Sequence, residues 1–119
     1  MEENSLHACK FPKSHRILKR REFIRIAKFG EVLRGKYLII HQVNSEEGDA
    51  RLGITVTKRF GKSHERNYFK RIVREIFRTI QFPSGLDLIV RPRHLAKEAN
   101  FHDIKEEFYR LLAIESTNS

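Results

Sequence analysis

Between residues 63 and 80 the apolar side chains Phe69, Ile72, Val73, Ile76, Phe77 and Ile80 recur at the spacing of a helix, with Ser63 a usable N-cap. At about 100° per residue, Arg66, Lys70, Arg74 and Arg78 fall on one slowly drifting line of that helix, with Asn67 and Arg71 beside them. Such a helix must bury one arc against something apolar and leave a separate cationic arc outside. The chain has to supply a layer for it to pack on.

That layer is legible on both sides of the helix. Over 37–43, Tyr37, Ile39, His41 and Val43 alternate with Leu38, Ile40 and Gln42. A polar turn spans 44–49, and then Leu52, Ile54 and Val56 alternate with Gly53, Thr55 and Thr57, so the two runs read as a hairpin. The run 86–90 reads as a buried strand ended by Pro92. An earlier helix is expected over 19–29, where Phe23, Ile26 and Ala27 share a face and Gly30 stands where a left-handed C-terminal cap would. A last helix from Phe101 carries Phe101, Ile104, Phe108, Leu111 and Leu112 on one stripe. The order α-β-β-α-β-α predicts an α+β sandwich with helices packed on a central sheet. Residues 1–13 read as a flexible arm, 14–115 as one domain and 116–119 as a frayed end.

The 119 residues hold 24 Lys and Arg against 15 Asp and Glu, a net charge of +9. The charge is polarised: 10–36 carries ten basic residues against Glu22 and Glu31, and 51–78 carries nine against Glu65 and Glu75, so the remainder is net acidic. Concentrating one sign costs self-repulsion, and an anionic polymer whose counterions are released on binding explains it best. Lys58, Arg59 and Lys62 lie in the Gly61 turn that leads into the basic helix, whose free N–H groups favour phosphate. Amphipathic basic helices also bind acidic membranes or calmodulin-like partners, but those need an exposed apolar face, and here that arc reads as core.

Other chemistries find little support. The single cysteine, Cys9, excludes an intrachain disulfide framework and a four-cysteine zinc site, and the six histidines include no His-x-x-x-His pair, so no protein-bound metal is expected. The acids lie mostly in the 44–49 turn and the C-terminal helix, ordinary places for solvated charge, so no catalytic residue is assigned. No Lys/Arg-led apolar run opens the chain and no stretch reaches a membrane span, so a cytoplasmic protein without membrane contact is expected.

The string RLGITVTKRFGKSHERNYFKRIVREIFR at 51–78 resembles the signature of the bacterial ribonuclease P protein subunit: a strand ending in Ser/Thr and two basic residues, a Gly turn, then Arg-Asn-x-x-Lys-Arg-x-x-Arg on a helix. Here these are Thr57, Lys58, Arg59, Gly61, Arg66, Asn67, Lys70, Arg71 and Arg74. The resemblance covers roughly residues 11–114. It implies a ribosomal-protein-S5-domain-2-like fold with a left-handed βαβ crossover, where the general rule would draw a right-handed one. It implies a protein that binds the catalytic RNA of ribonuclease P and the 5′ leader of precursor tRNA and promotes removal of that leader. Catalysis and its Mg²⁺ would belong to the RNA, with no cofactor on the protein and no obligatory protein partner.

In such a protein Lys58, Arg59, Lys62, Arg66, Asn67, Lys70, Arg71 and Arg74 would contact RNA, and a cleft between the long helix and the sheet would hold the leader. Phe23, His41, Thr55, Thr57 and Tyr68 are the cleft candidates. Phosphate contacts would position RNA without reading sequence, and Phe23 would stack on an unpaired base. Three positions depart from the family pattern: Tyr68 stands where an Arg is frequent, Ala27 replaces a second aromatic, and His41 occupies a strand position frequently aromatic. The alternative is a stand-alone RNA-binding module, ribosomal or chaperone-like, which would bind RNA without leader dependence. A DNA-binding regulator is weaker, lacking an evident helix-turn-helix partner.

Overall fold

The structure, a computed structural model, describes residues 16, 17, 19–44, 48–80, 82 and 85–112. The arm 1–13, the end 116–119, Cys9 and part of the 44–49 turn lie outside the described residues. The elements are α1 (Arg20–Phe29), β1 (Glu31–Arg34), β2 (Leu38–Asn44), β3 (Arg51–Ile54), a 3-10 turn (Lys58–Phe60), α2 (Ser63–Thr79), β4 (Leu86–Pro92), a second 3-10 turn (His94–Glu98) and α3 (Phe101–Leu112). No described helix is long and apolar enough to cross a membrane.

The four strands form one sheet in the order β1-β2-β4-β3. This corrects the expected hairpin between 37–43 and 52–57: β4 lies between them, antiparallel to β2 and parallel to β3. Alternation marks a strand's faces but not its neighbour, and β4 can pair on both edges because its run is buried on both faces. The hairpin that does form is β1–β2, with Glu31 opposite Gln42 and Arg34 opposite Ile39. β1 went unread because its four residues, EVLR, are nearly all exposed and show no apolar alternation.

Two apolar clusters lie on opposite faces of this sheet. Leu38, Ile40, Leu88 and Val90 face α2 and α3 and pack with Phe69, Val73, Ile76, Ile104 and Phe108. Ile89, between Leu88 and Val90, points the other way and packs with Ile26 of α1, Ile17, Phe23 and Val43. Each fully buried side chain of this size contributes about 1.5–3 kcal/mol. The apolar arc of the long helix is therefore sealed onto the sheet.

Local capping differs from the sequence reading at two points. Lys62, not Ser63, is the N-cap of α2, and the Glu65 carboxylate accepts the Lys62 N–H at 2.8 Å. Gly30 is extended (φ −77°, ψ 160°) rather than left-handed, and donates its N–H to the Ile26 carbonyl at 2.8 Å. A side chain there would run into the Ile26 and Gln42 carbonyl oxygens, so the glycine serves close packing of α1 on β2.

Two acids are not solvated charge. Glu107 of α3 is completely buried, and its carboxylate accepts the N–H groups of Lys36, Tyr37 and Leu38 at 2.9, 2.7 and 2.7 Å. Asp87 of β4 is buried and takes a two-pronged contact from Arg51 at 3.0 and 2.9 Å, while Arg51 also reaches Glu22 at 3.3 Å. That grip raises the Arg51 pKa further, chiefly through the Asp87 hydrogen bond. Arg51 belongs to the basic stretch in sequence, yet its charge is spent inside the fold.

Candidate nucleic-acid interface

The basic turn is built by plugging one aromatic and exposing the rest. Phe60 is buried, stacks obliquely on Phe69 at 5.7 Å and donates its N–H to the Thr57 carbonyl at 3.0 Å, which throws Lys58 and Arg59 outward. Arg66 then braces the turn, donating from Nη1 to the Gly61 carbonyl at 2.8 Å and from Nη2 to Ser63 Oγ at 3.1 Å. Arg66, expected as a phosphate contact, is thus first a positioning residue, half-buried with part of its guanidinium committed. The Lys62 N–H, then the charges of Lys97, His64 and Lys62, hold the Glu65 carboxyl below its ordinary range.

Farther along α2, Lys70 and Arg74 line a groove of about 160 Å³ whose other walls are Arg16, Phe23, Gly53 and Ile54. The groove wraps the β3 edge, where Arg16 bridges to Leu52 and the Ile17 N–H donates to the Leu52 carbonyl at 3.0 Å. Phe23 is half-buried, and its ring comes so close to β3 that a Cβ at Gly53 would sit 2.7 Å from Cζ. Gly53 is therefore the residue that admits the ring, and it sits mid-strand for that reason. Asn67 and Arg71 are exposed on the outer side of the same face, Arg71 with Glu75 at 3.6 Å.

A second groove of about 220 Å³ continues from Gly53 and Ile54 along β3, lined by Thr55, Thr57, Arg59, Arg91 and His94. Strand pairing sets Arg34 and Arg91 on either side of Ile39, in the next row of the α1-side sheet face. Arg91 and His94 were not selected from sequence. The available signal was alternation: one step past the buried Val90, the strand must turn Arg91 to the opposite face.

The remaining cleft candidates divide. Thr55 and Thr57 line the second groove. His41 sits between Val32 and Ile89, 8% exposed, with Nδ1 lacking a hydrogen-bond partner among the described residues. Burial, then Arg91 and Arg34, lower its pKa. Tyr68 is not brought to either groove: two residues from Lys70, it lies about 160° around the helix, and borders a pocket with Lys97 and Ile104 instead.

The lowered His41 pKa has a signed consequence. The native state binds this proton less readily than the unfolded chain, so stability is full above the unfolded value near 6.5 and falls as pH drops from there toward the folded value. Thermal unfolding across pH 7.5 to 5 should show a loss that His41→Phe reduces. An identical pH slope in the two proteins would exclude the histidine as its source.

Comparison with known proteins agrees with this geometry. The family model for ribonuclease P matches residues 11–115. The ribonuclease P protein component of Chlamydia caviae is 40% identical over 105 residues, spanning 87% of this chain and 75% of that protein. That of Desulforapulum autotrophicum is 35% identical over 103 residues, spanning 85% and 88%. Among solved structures, the Staphylococcus aureus protein superposes with a TM-score of 0.76 at 32% identity, covering 86% of this chain and 95% of that one. The Thermotoga maritima protein gives 0.75 at 36% identity, covering 85% and 98%. A four-stranded α+β fold, a cationic helix beside an aromatic groove, and a family match over most of the chain converge on one conclusion: the chain belongs to the ribonuclease P protein family, as the protein component of the ribonucleoprotein endoribonuclease that processes tRNA.

Proposed function

We propose that this protein binds the catalytic RNA of ribonuclease P through its basic turn and the outer face of α2, and carries the 5′ leader of precursor tRNA in the two grooves along β3. The observation that carries the reading is the joint lining of one groove by Phe23, Lys70 and Arg74. A single strand needs a π-face for a base and cations for its backbone, and this groove is lined by both. The second groove adds Thr57, Arg59, Arg91 and His94, donors suited to phosphate oxygens.

The division of labour follows from the side chains. Lys58, Lys62, Asn67 and Arg71 face outward and would hold structured RNA, Arg59 lines the second groove, and Arg66 braces the turn between them. The leader is bound with little sequence preference, because stacking and phosphate contact accept any base. The residues lining the two grooves include no carboxylate, whereas Mg²⁺ is held by proteins through one or two carboxylates; we assign the metal to the RNA. Cytoplasm is the compartment this role implies. A stand-alone RNA-binding module is not favoured.

The test is the affinity of the assembled holoenzyme for precursor tRNA with and without its leader. Phe23→Ala should weaken the leader-bearing substrate about tenfold and leave leaderless tRNA unchanged. Equal weakening of both would place Phe23 in the core alone.

A further inference from the structure

On the flank of α2 away from the leader grooves, a pocket of about 120 Å³ opens under Tyr68. Its floor is apolar and buried, made by Phe60, Phe69, Ile72 and Ile104, and its rim is Tyr68, His64, Glu65 and Lys97. Tyr68 is 56% exposed, one of few large apolar-bodied side chains left in water among the described residues. The grooves along β3 do not include this ring, and of the pocket's lining they share only Phe60.

We propose that the pocket takes one unpaired nucleobase of a bound RNA strand, stacked against Tyr68, with Lys97 and Lys62 holding the flanking phosphates. The proposal rests on the reading that RNA lies along the basic turn. Three observations select this occupant. The pocket is small, about 120 Å³, whereas a docked helix or peptide strand requires several anchor sites in a row. The rim carries one cation, Lys97, and its one acid, Glu65, has its carboxylate turned back onto the Lys62 N–H. The pocket also abuts the basic turn directly. It shares Phe60 with that turn, and Lys97 Cε lies 3.2 Å from the position a Gly61 Cβ would take. A strand held by Lys58, Arg59 and Lys62 therefore passes the pocket mouth, and a base facing the protein there exchanges water for an apolar floor and an aromatic edge.

Two sources share this chemistry, the catalytic RNA and the precursor's leader, and the experiment separates them. The chain has no Trp and three Tyr, so a Tyr37→Phe, Tyr109→Phe protein leaves Tyr68 as its sole fluorophore. That protein is titrated with a bacterial ribonuclease P RNA and separately with a single-stranded leader oligonucleotide. Quenching by the first assigns the base to the catalytic RNA, and quenching by the second to the leader; quenching by neither overturns the proposal. In parallel, Tyr68→Ala should lose about tenfold in affinity for the RNA that quenches, and Tyr68→Phe should match the parent. The slope of log affinity against log salt should be unchanged in Tyr68→Ala, because every phosphate partner is retained, whereas Lys97→Ala should lower it by about one. Unchanged affinity in Tyr68→Ala, or a changed slope, contradicts base stacking. Failure of the parent protein to bind ribonuclease P RNA at all would instead strike the functional reading on which the pocket depends.

Discussion

Glu107→Ala should cost about 3–5 kcal/mol of stability, because it strips the acceptor from three backbone N–H groups at about 1–3 kcal/mol each. The carboxylate is fully buried and is the acceptor for three consecutive backbone N–H groups, Lys36, Tyr37 and Leu38, with Arg110 Nη2 at 2.9 Å as its charge partner. Those amides lie in the connection between β1 and β2, so one side chain of α3 ties the last helix to the sheet. Truncation leaves all three amides without this acceptor, that of Leu38 buried and those of Lys36 and Tyr37 partly so, and each carries a desolvation cost to the extent that it is shut off from water. Glu107→Gln retains one acceptor oxygen and should lose roughly half as much. Thermal unfolding is the measurement, with a drop on the order of 10–20 °C expected for the alanine variant. A loss under about 1 kcal/mol would show that the strand connection is held by something else.

Removing three cations, Lys58, Lys70 and Arg74, should leave the fold intact and weaken RNA binding by about 100-fold near physiological salt, taking about 1 kcal/mol for each solvent-facing ion pair with phosphate. All three are at the surface or in a groove, and none has a part in the two apolar clusters. The slope of log affinity against log salt should fall by between two and three, since each phosphate left unneutralised keeps about 0.7–0.9 of a counterion that binding would otherwise release. Binding measured from 50 to 300 mM salt reads both quantities. A weakened affinity with an unchanged slope would mean that these side chains do not meet phosphate.

The contrast between these two variants shows what the residues reveal on their own. The cationic line of α2 and its apolar arc were legible because a long helix repeats its period many times, and the structure keeps both where the spacing puts them. The pairing of β2 was not, because alternation is a property of one strand and carries no address for the next. Glu107 was misread for a related reason: a Glu on an amphipathic helix looks solvated until the fold brings three amides from seventy residues away onto it. Arg51 looks equally available for RNA in the sequence, and only the topology, by setting β3 beside β4, delivers Asp87 to neutralise it.

The site was legible to a comparable degree. Phe23 and the Lys70–Arg74 face share a groove, and their meeting place is the β3 edge. Tyr68 follows Asn67 directly in sequence and still looks out on the other side, since one helical step is a rotation of about 100°. Arg91 and His94, from a strand and turn distant in sequence, join Thr57 and Arg59 only through parallel β3–β4 pairing.

This cationic, aromatic-lined surface is what should make the chain a working subunit of ribonuclease P. Multiple-turnover cleavage of a 5′-extended precursor tRNA by a bacterial ribonuclease P RNA at low Mg²⁺, with and without the protein, tests that role most directly. Strong stimulation by the protein is expected, with loss of that stimulation in the Lys58, Lys70, Arg74 triple variant and no cleavage by protein alone. Tight RNA binding with no stimulation, or stimulation that survives the triple variant, would contradict it.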